Sequence, residues 1–418
     1  MTLNPQTGLN RGSESQPEEK GRWIEALTAT PGFVFDERQL RKNLALLEEI
    51  RAASGCRVLY SIKACPFMGL LTRMRGRVDG FSVSSLFEAR LAHEALAGAG
   101  SLHITTPGLR RDEMSEIGEL CDFVNFNSLS QLERLPFLLG GRAEIGLRIN
   151  PQLSFLDDPR YDPCRRHSKL GAPLPQVVAQ WLSGRLATRG LKGVHLHTHF
   201  GSRSFAPLQQ SVEHLEQHLA PWLRELEWVN LGGGYLFQAA SDPETLLSTI
   251  DRIHTQWGAQ VYLEPGSAVV EETGYLVASV LDTFESDGRA IAVLDTSVNH
   301  LPEVFEYQKS PELLDERTDG PYRTLLVGAT CLSGDRFGDY SFSRPLEIGD
   351  RVVFKNVGAY SLIKASRFNG QNLPALHLLG EDGSLNPMKT YDYEDYRRQW
   401  SEDMPSRAGS KRGTGSAS

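Results

Sequence analysis

The sequence has no long apolar run. Nowhere do its 418 residues approach the roughly 18–20 consecutive apolar positions that a membrane helix needs. Cysteine is scarce. Five cysteines stand at irregular spacing with no Cys-x-x-Cys pair, which excludes a disulfide framework and a thiolate zinc site and points to a reducing, cytoplasmic setting. An excess of positive charge is also lacking. Lys and Arg number 44 against 52 Asp and Glu, a net charge of −8, so phosphates would not be neutralised in bulk and no nucleic-acid partner is expected. The opening stretch, MTLNPQTGLNRGSESQPEEKGR, lacks the apolar core of a secretory signal.

What is present reads as an ordinary globular composition, 40% hydrophobic and 23% charged. The length suggests two domains. Residues 1–22 and 401–418 are polar and rich in Gly and Ser, and are expected to be disordered. Between them, a helix is predicted from Asp36 to Ser54. Leu40, Leu44, Leu47 and Ile50 recur at helical spacing, and Asp36 can cap the start. Short β-rich runs then follow: VLYSI (58–62), GFSVS (80–84), LHITT (102–106), DFVNF (122–126), EIGLRI (144–149), GVHLHT (193–198), WVNLG (228–232) and VYLEP (261–265). Helical stretches such as Phe87 to Ala97 and Pro243 to Trp257 separate most of them. That is the strand count of a closed parallel (β/α)8 barrel, expected over residues 37–268. A long segment, PQLSFLDDPRYDPCRRHSKLGAP, interrupts the alternation after the fifth strand, and loops of that length are usually functional or disordered. Beyond Gly266 the helices nearly stop. YLVASVLDTF, RAIAVLD, RTLLVGA and DRVVFKNV read as strands of a smaller antiparallel barrel or sandwich, over 269–380, to which residues 30–36 add a strand.

Barrel enzymes carry their chemistry at the C-terminal ends of the strands. There the sequence places Lys63 after the first strand, Arg148 on the fifth, and His195, His197 and His199 on the sixth. Gly232, Gly233 and Gly234 follow the seventh, and Glu264 the eighth. A lysine between Ile62 and Ala64 either snorkels to water or is a desolvated amine able to form a Schiff base. Three glycines after a strand are either a plain turn or a loop whose N–H groups converge on a phosphate. Glu264 either pairs with a neighbouring loop or holds a pyridine nitrogen protonated. The alternating histidines would share one face of a strand, which makes a zinc-dependent barrel hydrolase the rival reading.

In their order, the motifs YSIKA, GLRINP, GVHLHTHFGS, NLGGG, LEPG, GATCLSGD and VGAY resemble those of the fold-type III decarboxylases that use pyridoxal phosphate. That group includes the ornithine, diaminopimelate and carboxynorspermidine enzymes. The resemblance covers about residues 30–380. It implies pyridoxal phosphate as cofactor and no metal. Lys63 would hold the cofactor covalently, His197 would stack on its ring and Glu264 would pair with the ring nitrogen. Arg148 would also bind the cofactor, and Gly232 to Gly234 with Tyr360 would hold its phosphate. Cys331 would reach the active site of a partner subunit in a homodimer and return a proton after carbon dioxide leaves. Tyr161, His300, Glu303 and Asp335 would face the substrate. Within the group, YDPC…SKLG, LDTSVNHLPEVFE, TCLSGDRFGDYSF and SRFNG are most similar to carboxynorspermidine decarboxylases, and imply a place in polyamine synthesis. Leu332 stands where ornithine and diaminopimelate enzymes carry the acid that reads a distal amine. Departures also occur at Ser267, Tyr235-Leu236 and Asn299. Asp157, Asp158, Asp162, Glu303 and Glu306 are expected to meet ammonium groups of a long polyamine substrate, against the plainer alternative of a solvated acidic surface. A related decarboxylase acting on another amino acid is the alternative within the class.

Overall fold

Asp36 marks the junction between the two parts of the molecule. Its side chain accepts hydrogen bonds from the backbone N–H groups of Arg38 (2.8 Å) and Gln39 (3.2 Å) and so caps the helix Glu37–Ser54, which Gly55 ends in a left-handed conformation. Leu40, Leu44 and Leu47 form the buried stripe of that helix. The computed structural model describes residues 17–186 and 190–401.

Strand β1 (Gly32–Asp36) precedes the capped helix. The barrel then uses β2 (Arg57–Ser61), β3 (Gly80–Val83), β4 (Ser101–Thr105), β5 (Phe123–Phe126) and β6 (Glu144–Asn150). A two-residue strand, β7 (Ala172–Pro173), sits beside the end of β6. The round is completed by β8 (Leu191–His195), β9 (Trp228–Asn230) and β10 (Gln260–Leu263). Neighbours pair in parallel from β2 through β6 to β8, β9 and β10, and β10 pairs back onto β2. The ring of eight parallel strands is therefore closed. Its strands are buried nearly end to end, as strands covered by helices on the outside must be. The sixth barrel strand stops at His195, three residues short of the expected span.

The second part is one sheet of eight strands. Its members after β1 are β11 (Gly274–Ser286), β12 (Arg289–Leu294), β13 (Tyr322–Val327), β14 (Arg336–Phe342), β15 (Arg351–Lys355), β16 (Ala375–Leu379) and β17 (Leu385–Lys389). The order is β14-β13-β12-β11-β1-β16-β17, with β15 also on β11. The antiparallel expectation needs correction at two pairs: β1 lies parallel to β16, and β12 parallel to β13. The first half of β11 pairs with β1 and β15 and the second half with β12, with a register shift between Val280 and Asp282 where the strand changes partners. The sheet runs past residue 380 to β17. The arm expected over 1–22 also differs. Pro17–Ala26 is a helix, and Trp23 and Leu27 bury against Val34, Val277, Val353 and Leu379 of the sheet. Residues 1–16, and the tail beyond Ser401, lie outside the described residues. No described helix is long and apolar enough to cross a membrane.

Candidate active site

The C-terminal ends of the barrel strands surround a cavity of about 470 Å³ whose wall includes Lys63, Arg148, His195, His197 and Glu264. These sequence-predicted residues therefore share one cavity, whereas Gly232, Gly233, Gly234 and Tyr360 are not among the residues that line it. Ile62 and Ala64 are buried, and they hold the single turn Ile62–Ala64 so that Lys63 faces the cavity. The sheet domain steadies this turn, since the Tyr360 backbone N–H donates to the Ala64 carbonyl (2.7 Å). Burial lowers the pKa of the Lys63 amine, Arg148 pushes the same way, and Glu264 and Glu88 oppose them.

Glu264 is only 5% exposed. Its Oε1 accepts from Asn230 Nδ2 (2.8 Å), and its Oε2 lies 3.0 Å from His195 Nε2. Burial alone would raise the carboxyl pKa, but the charge and hydrogen bond of His195, together with Lys63, hold it below the usual carboxylate range. Burial also lowers the His195 pKa, against the opposing pull of Glu264, and Nε2 carries the proton it donates to that carboxylate. His197 is pulled well down by burial and by Lys63, and its Nδ1 accepts the Gly233 N–H (3.2 Å). Arg148 is buried and its pKa is drawn down to about 10 by that burial.

The glycine triplet does less of the expected work with its amides. Gly232 N–H is committed to Asn230 Oδ1 (2.9 Å) and Gly233 N–H to His197, so three free N–H groups do not converge on an anion. Glycine is required here for close packing. Gly232 and Gly234 have φ of +68° and +96°, and a Cβ on either would strike the Leu196 or His199 carbonyl. Tyr360, also left-handed at φ +64°, turns its hydroxyl toward Ser267 beside the same loops.

The histidine triplet does not form a metal face. The strand ends at His195, which binds Glu264. His197 turns to Gly233, and His199 Nδ1 accepts the N–H of Phe200 (2.8 Å). Among the described residues no group of three or more His, Cys, Asp or Glu side chains is arranged to hold a metal ion. The zinc-hydrolase reading therefore finds no support in this arrangement.

Residues outside the barrel behave less uniformly. Tyr161 lines the cavity; its hydroxyl donates to the Glu306 carbonyl (2.9 Å) and ties the long loop to the sheet domain. Cys331 is exposed, its backbone N–H bound to Asn369 Oδ1 (2.8 Å), and it does not line the cavity of its own chain. Asp335 is buried, with Oδ1 on Val298 N–H (2.9 Å) and Oδ2 on Thr330 N–H and Oγ1 (3.1 and 2.5 Å), so both oxygens staple two loops. His300 is fully buried against Thr296, and burial draws it down to about 4. Glu303 accepts from Ser361 Oγ (2.8 Å), and burial raises its carboxyl. The acids expected to await ammonium groups are mostly engaged. Asp158 pairs with Arg160, Asp162 accepts from Ser154 Oγ and Cys164 N–H, and Glu306 pairs with Lys364. Arg160, Arg165 and Lys169 line the mouth instead.

Asn230, Glu88, Phe200 and Tyr307 also belong to the site or its rim. Asn230 joins Glu264 to Gly232, and its only signal was its place before the glycines. Glu88 lies near Lys63 and accepts the Ser84 N–H (2.6 Å); the pattern Ser85-x-x-Glu88 marks it as a helix-capping acid. Tyr161, Phe200 and Tyr307 form an aromatic triangle at the mouth, with centroids 5.3–6.4 Å apart. Tyr307 comes from a helix that the alternation pattern did not predict.

A desolvated amine, an ionised buried carboxylate and a buried imidazole around one cavity suit a pyridoxal phosphate enzyme. The family described as "Pyridoxal-dependent decarboxylase, C-terminal sheet domain" matches residues 33–358, and the chain belongs to the pyridoxal-dependent decarboxylases, enzymes whose cofactor is pyridoxal phosphate. It is 32% identical to the carboxynorspermidine/carboxyspermidine decarboxylase of Campylobacter jejuni, over 88% of this chain and 97% of that one. It is 34% identical to the carboxyaminopropylagmatine decarboxylase of a Synechocystis species, over 88% and 95%. The crystal structure of carboxynorspermidine decarboxylase from C. jejuni, complexed with norspermidine, superposes with a TM-score of 0.81 at 31% identity, covering 88% of this chain and 99% of that one.

The residues present fit the cofactor. The buried Glu264 carboxylate keeps acceptor capacity beyond its two donors, as a protonated ring nitrogen requires. The Lys63 amine faces the same cavity.

Proposed function

We propose that this chain removes the carboxylate of a carboxylated polyamine, carboxynorspermidine or carboxyspermidine, and so works in polyamine synthesis. The observation that carries the reading is Lys63 and Glu264 on one cavity at the barrel's C-terminal end, in a chain that matches such decarboxylases over most of its length. When bound, pyridoxal phosphate supplies the electron sink for the bond that breaks as carbon dioxide leaves. Lys63 holds the cofactor, and burial favours its neutral, nucleophilic form. Glu264, kept ionised, holds the ring nitrogen protonated. His197 covers the ring as a neutral imidazole. Gly234, Ser267 and Tyr360 serve the phosphate.

The active unit in this proposal is a two-fold dimer. Cys331 is exposed and absent from its own cavity, which suits delivery of its thiol proton to a partner's site. Asp335, whose two oxygens hold two loops, and His300, buried against Thr296, drop out of the substrate contacts. Tyr161 stays, with Phe200 and Tyr307, as an aromatic wall whose faces attract ammonium groups. A cytoplasmic setting accords with five free cysteines.

One observation favours a second substrate. The Arg160 guanidinium lies 5.2 Å from the Tyr161 ring centroid, and such a ring face would equally suit the distal guanidinium of carboxyaminopropylagmatine. Carbon dioxide release should be measured in competition among carboxynorspermidine, carboxyspermidine, carboxyaminopropylagmatine, ornithine, lysine and diaminopimelate. Preference for either carboxylated triamine supports the proposal. Preference for the guanidino compound selects the second reading, and preference for ornithine, lysine or diaminopimelate discards both.

A further inference from the structure

We propose that Asn230 is a positioning residue whose single amide locks Glu264 and the glycine triplet to one another, and so sets the ring-nitrogen grip and the phosphate loop as one unit. The inference rests on the cofactor roles given to Glu264 and to the loop above.

Asn230 is the last residue of β9 and is fully buried. Its Nδ2 donates to Glu264 Oε1 (2.8 Å), at the end of β10, and its Oδ1 accepts the Gly232 N–H (2.9 Å). These two partners fix the amide's orientation, since the N–H of Gly232 can only face an oxygen and the Glu264 carboxylate can only face a donor. The Glu264 backbone N–H also donates to the Gly232 carbonyl (2.7 Å), so the two segments are bonded through both main chain and side chain. Four ionisable groups influence Glu264 from other elements: His195 on β8, Lys63 after β2, Arg148 on β6 and His103 on β4. The geometry gives His195 and Asn230 one carboxylate oxygen each. His195 holds only Glu264, whereas Asn230 holds the loop as well.

Asn230→Asp separates these two bonds. Aspartate keeps an oxygen for Gly232 but turns a second carboxylate on Glu264, and two such groups share a proton instead of both ionising. The variant should bind pyridoxal phosphate with affinity within about threefold of wild type, because the loop bond survives. Its kcat should fall by about tenfold or more, as losses of supporting contacts to a bound group commonly do, with little change in KM. The pH midpoint of the bound cofactor's visible absorbance should move by about one unit or more. Asn230→Asp/Glu264→Gln returns a donor to the pair with its direction reversed. It should recover the apoprotein stability lost in the single aspartate variant while remaining as slow as Glu264→Gln, which a purely structural role would not produce. Asn230→Ala, which removes both bonds, should weaken cofactor affinity as well as kcat, and serves if the aspartate variant does not fold. An unshifted absorbance midpoint with unchanged kcat in Asn230→Asp, no stability recovery in the double variant, or unaltered affinity and kcat in Asn230→Ala would each overturn the proposal. Wild-type protein that takes up no pyridoxal phosphate would instead defeat the functional reading, while the apoprotein stabilities would still report on the pair.

Discussion

Replacing Glu264 by glutamine tests the centre of the site with a change of one oxygen to an amide nitrogen. The carboxylate faces two buried donors, Asn230 Nδ2 at 2.8 Å and His195 Nε2 at 3.0 Å. Glutamine has one acceptor oxygen, so one donor must meet its NH2. If the oxygen stays on Asn230, His195 must move its proton to Nδ1, which is buried and has no hydrogen-bond partner among the described residues. If the oxygen turns to His195, the two amide NH2 groups oppose each other. Either arrangement leaves a buried polar group unpaired, at a cost of ~1–3 kcal/mol. Glutamine does escape the desolvation penalty of a buried charge. In the native protein, however, the attractive partners outweigh that penalty, because the Glu264 carboxyl is held below its ordinary 4.5. The sign of the pH dependence follows. A depressed carboxyl contributes stability that is complete above the unfolded value and fades as pH falls toward the folded one. Wild type should therefore exceed Glu264→Gln in stability at pH 7, and the gap should narrow below pH 4.5. Denaturant midpoints of the two apoproteins across this range give the comparison. The variant should still bind pyridoxal phosphate but turn over about 10²–10³-fold more slowly, as when a preorganised charge partner is removed. A stability gap that does not change with pH would refute the coupling, and a wild-type rate would refute the ring-nitrogen role.

Lys63→Ala should abolish the visible band of covalently held cofactor and lower turnover by several orders of magnitude, while the apoprotein keeps or gains stability, because a desolvated amine is removed; an unchanged spectrum would sink the assignment. Mixing inactive Lys63→Ala and Cys331→Ala chains tests the shared dimer. With random reassortment half the dimers are mixed, and one of their two sites draws both intact residues from different chains, so activity should recover to about a quarter of wild type. No recovery despite demonstrated subunit exchange would refute it.

The barrel was legible because its determinants are local. Each parallel strand is a short, largely apolar run, helices such as Glu37–Ser54, Leu86–Leu96 and Leu129–Arg134 carry a side-chain cap, and Asp36 performs the capping that its position announces. The sheet domain was less so. β14, β16 and β17 escaped notice because RFGDYSF lacks a clean alternation and LNPMK is mostly exposed. The parallel pairings of β1 with β16 and of β12 with β13 join segments that only tertiary packing brings together. Trp23 is similar: a polar arm with one aromatic reads as disorder until a sheet face exists for that aromatic to cover.

The histidine triplet shows why motif spacing located the site and yet misassigned some of its contacts. Alternation places i, i+2 and i+4 on one face only while the chain remains a strand, and β8 ends at the first of the three. Beyond that point backbone turns set each direction, and the turns depend on what the neighbouring strand end offers. Gly233 draws His197 because Gly232, fixed by Asn230, has placed that N–H there. Asn230 is in turn aimed by Glu264, a strand away. The acids of the long loop are explained in the same way. Asp158 and Asp162 are as acidic as expected, but Arg160, Ser154 and the loop's own N–H groups satisfy them first, and the mouth is left to the aromatic rings and the cations. Residue type thus tells which chemistry is available, whereas the order in which buried donors and acceptors satisfy one another decides which groups remain for the ligand.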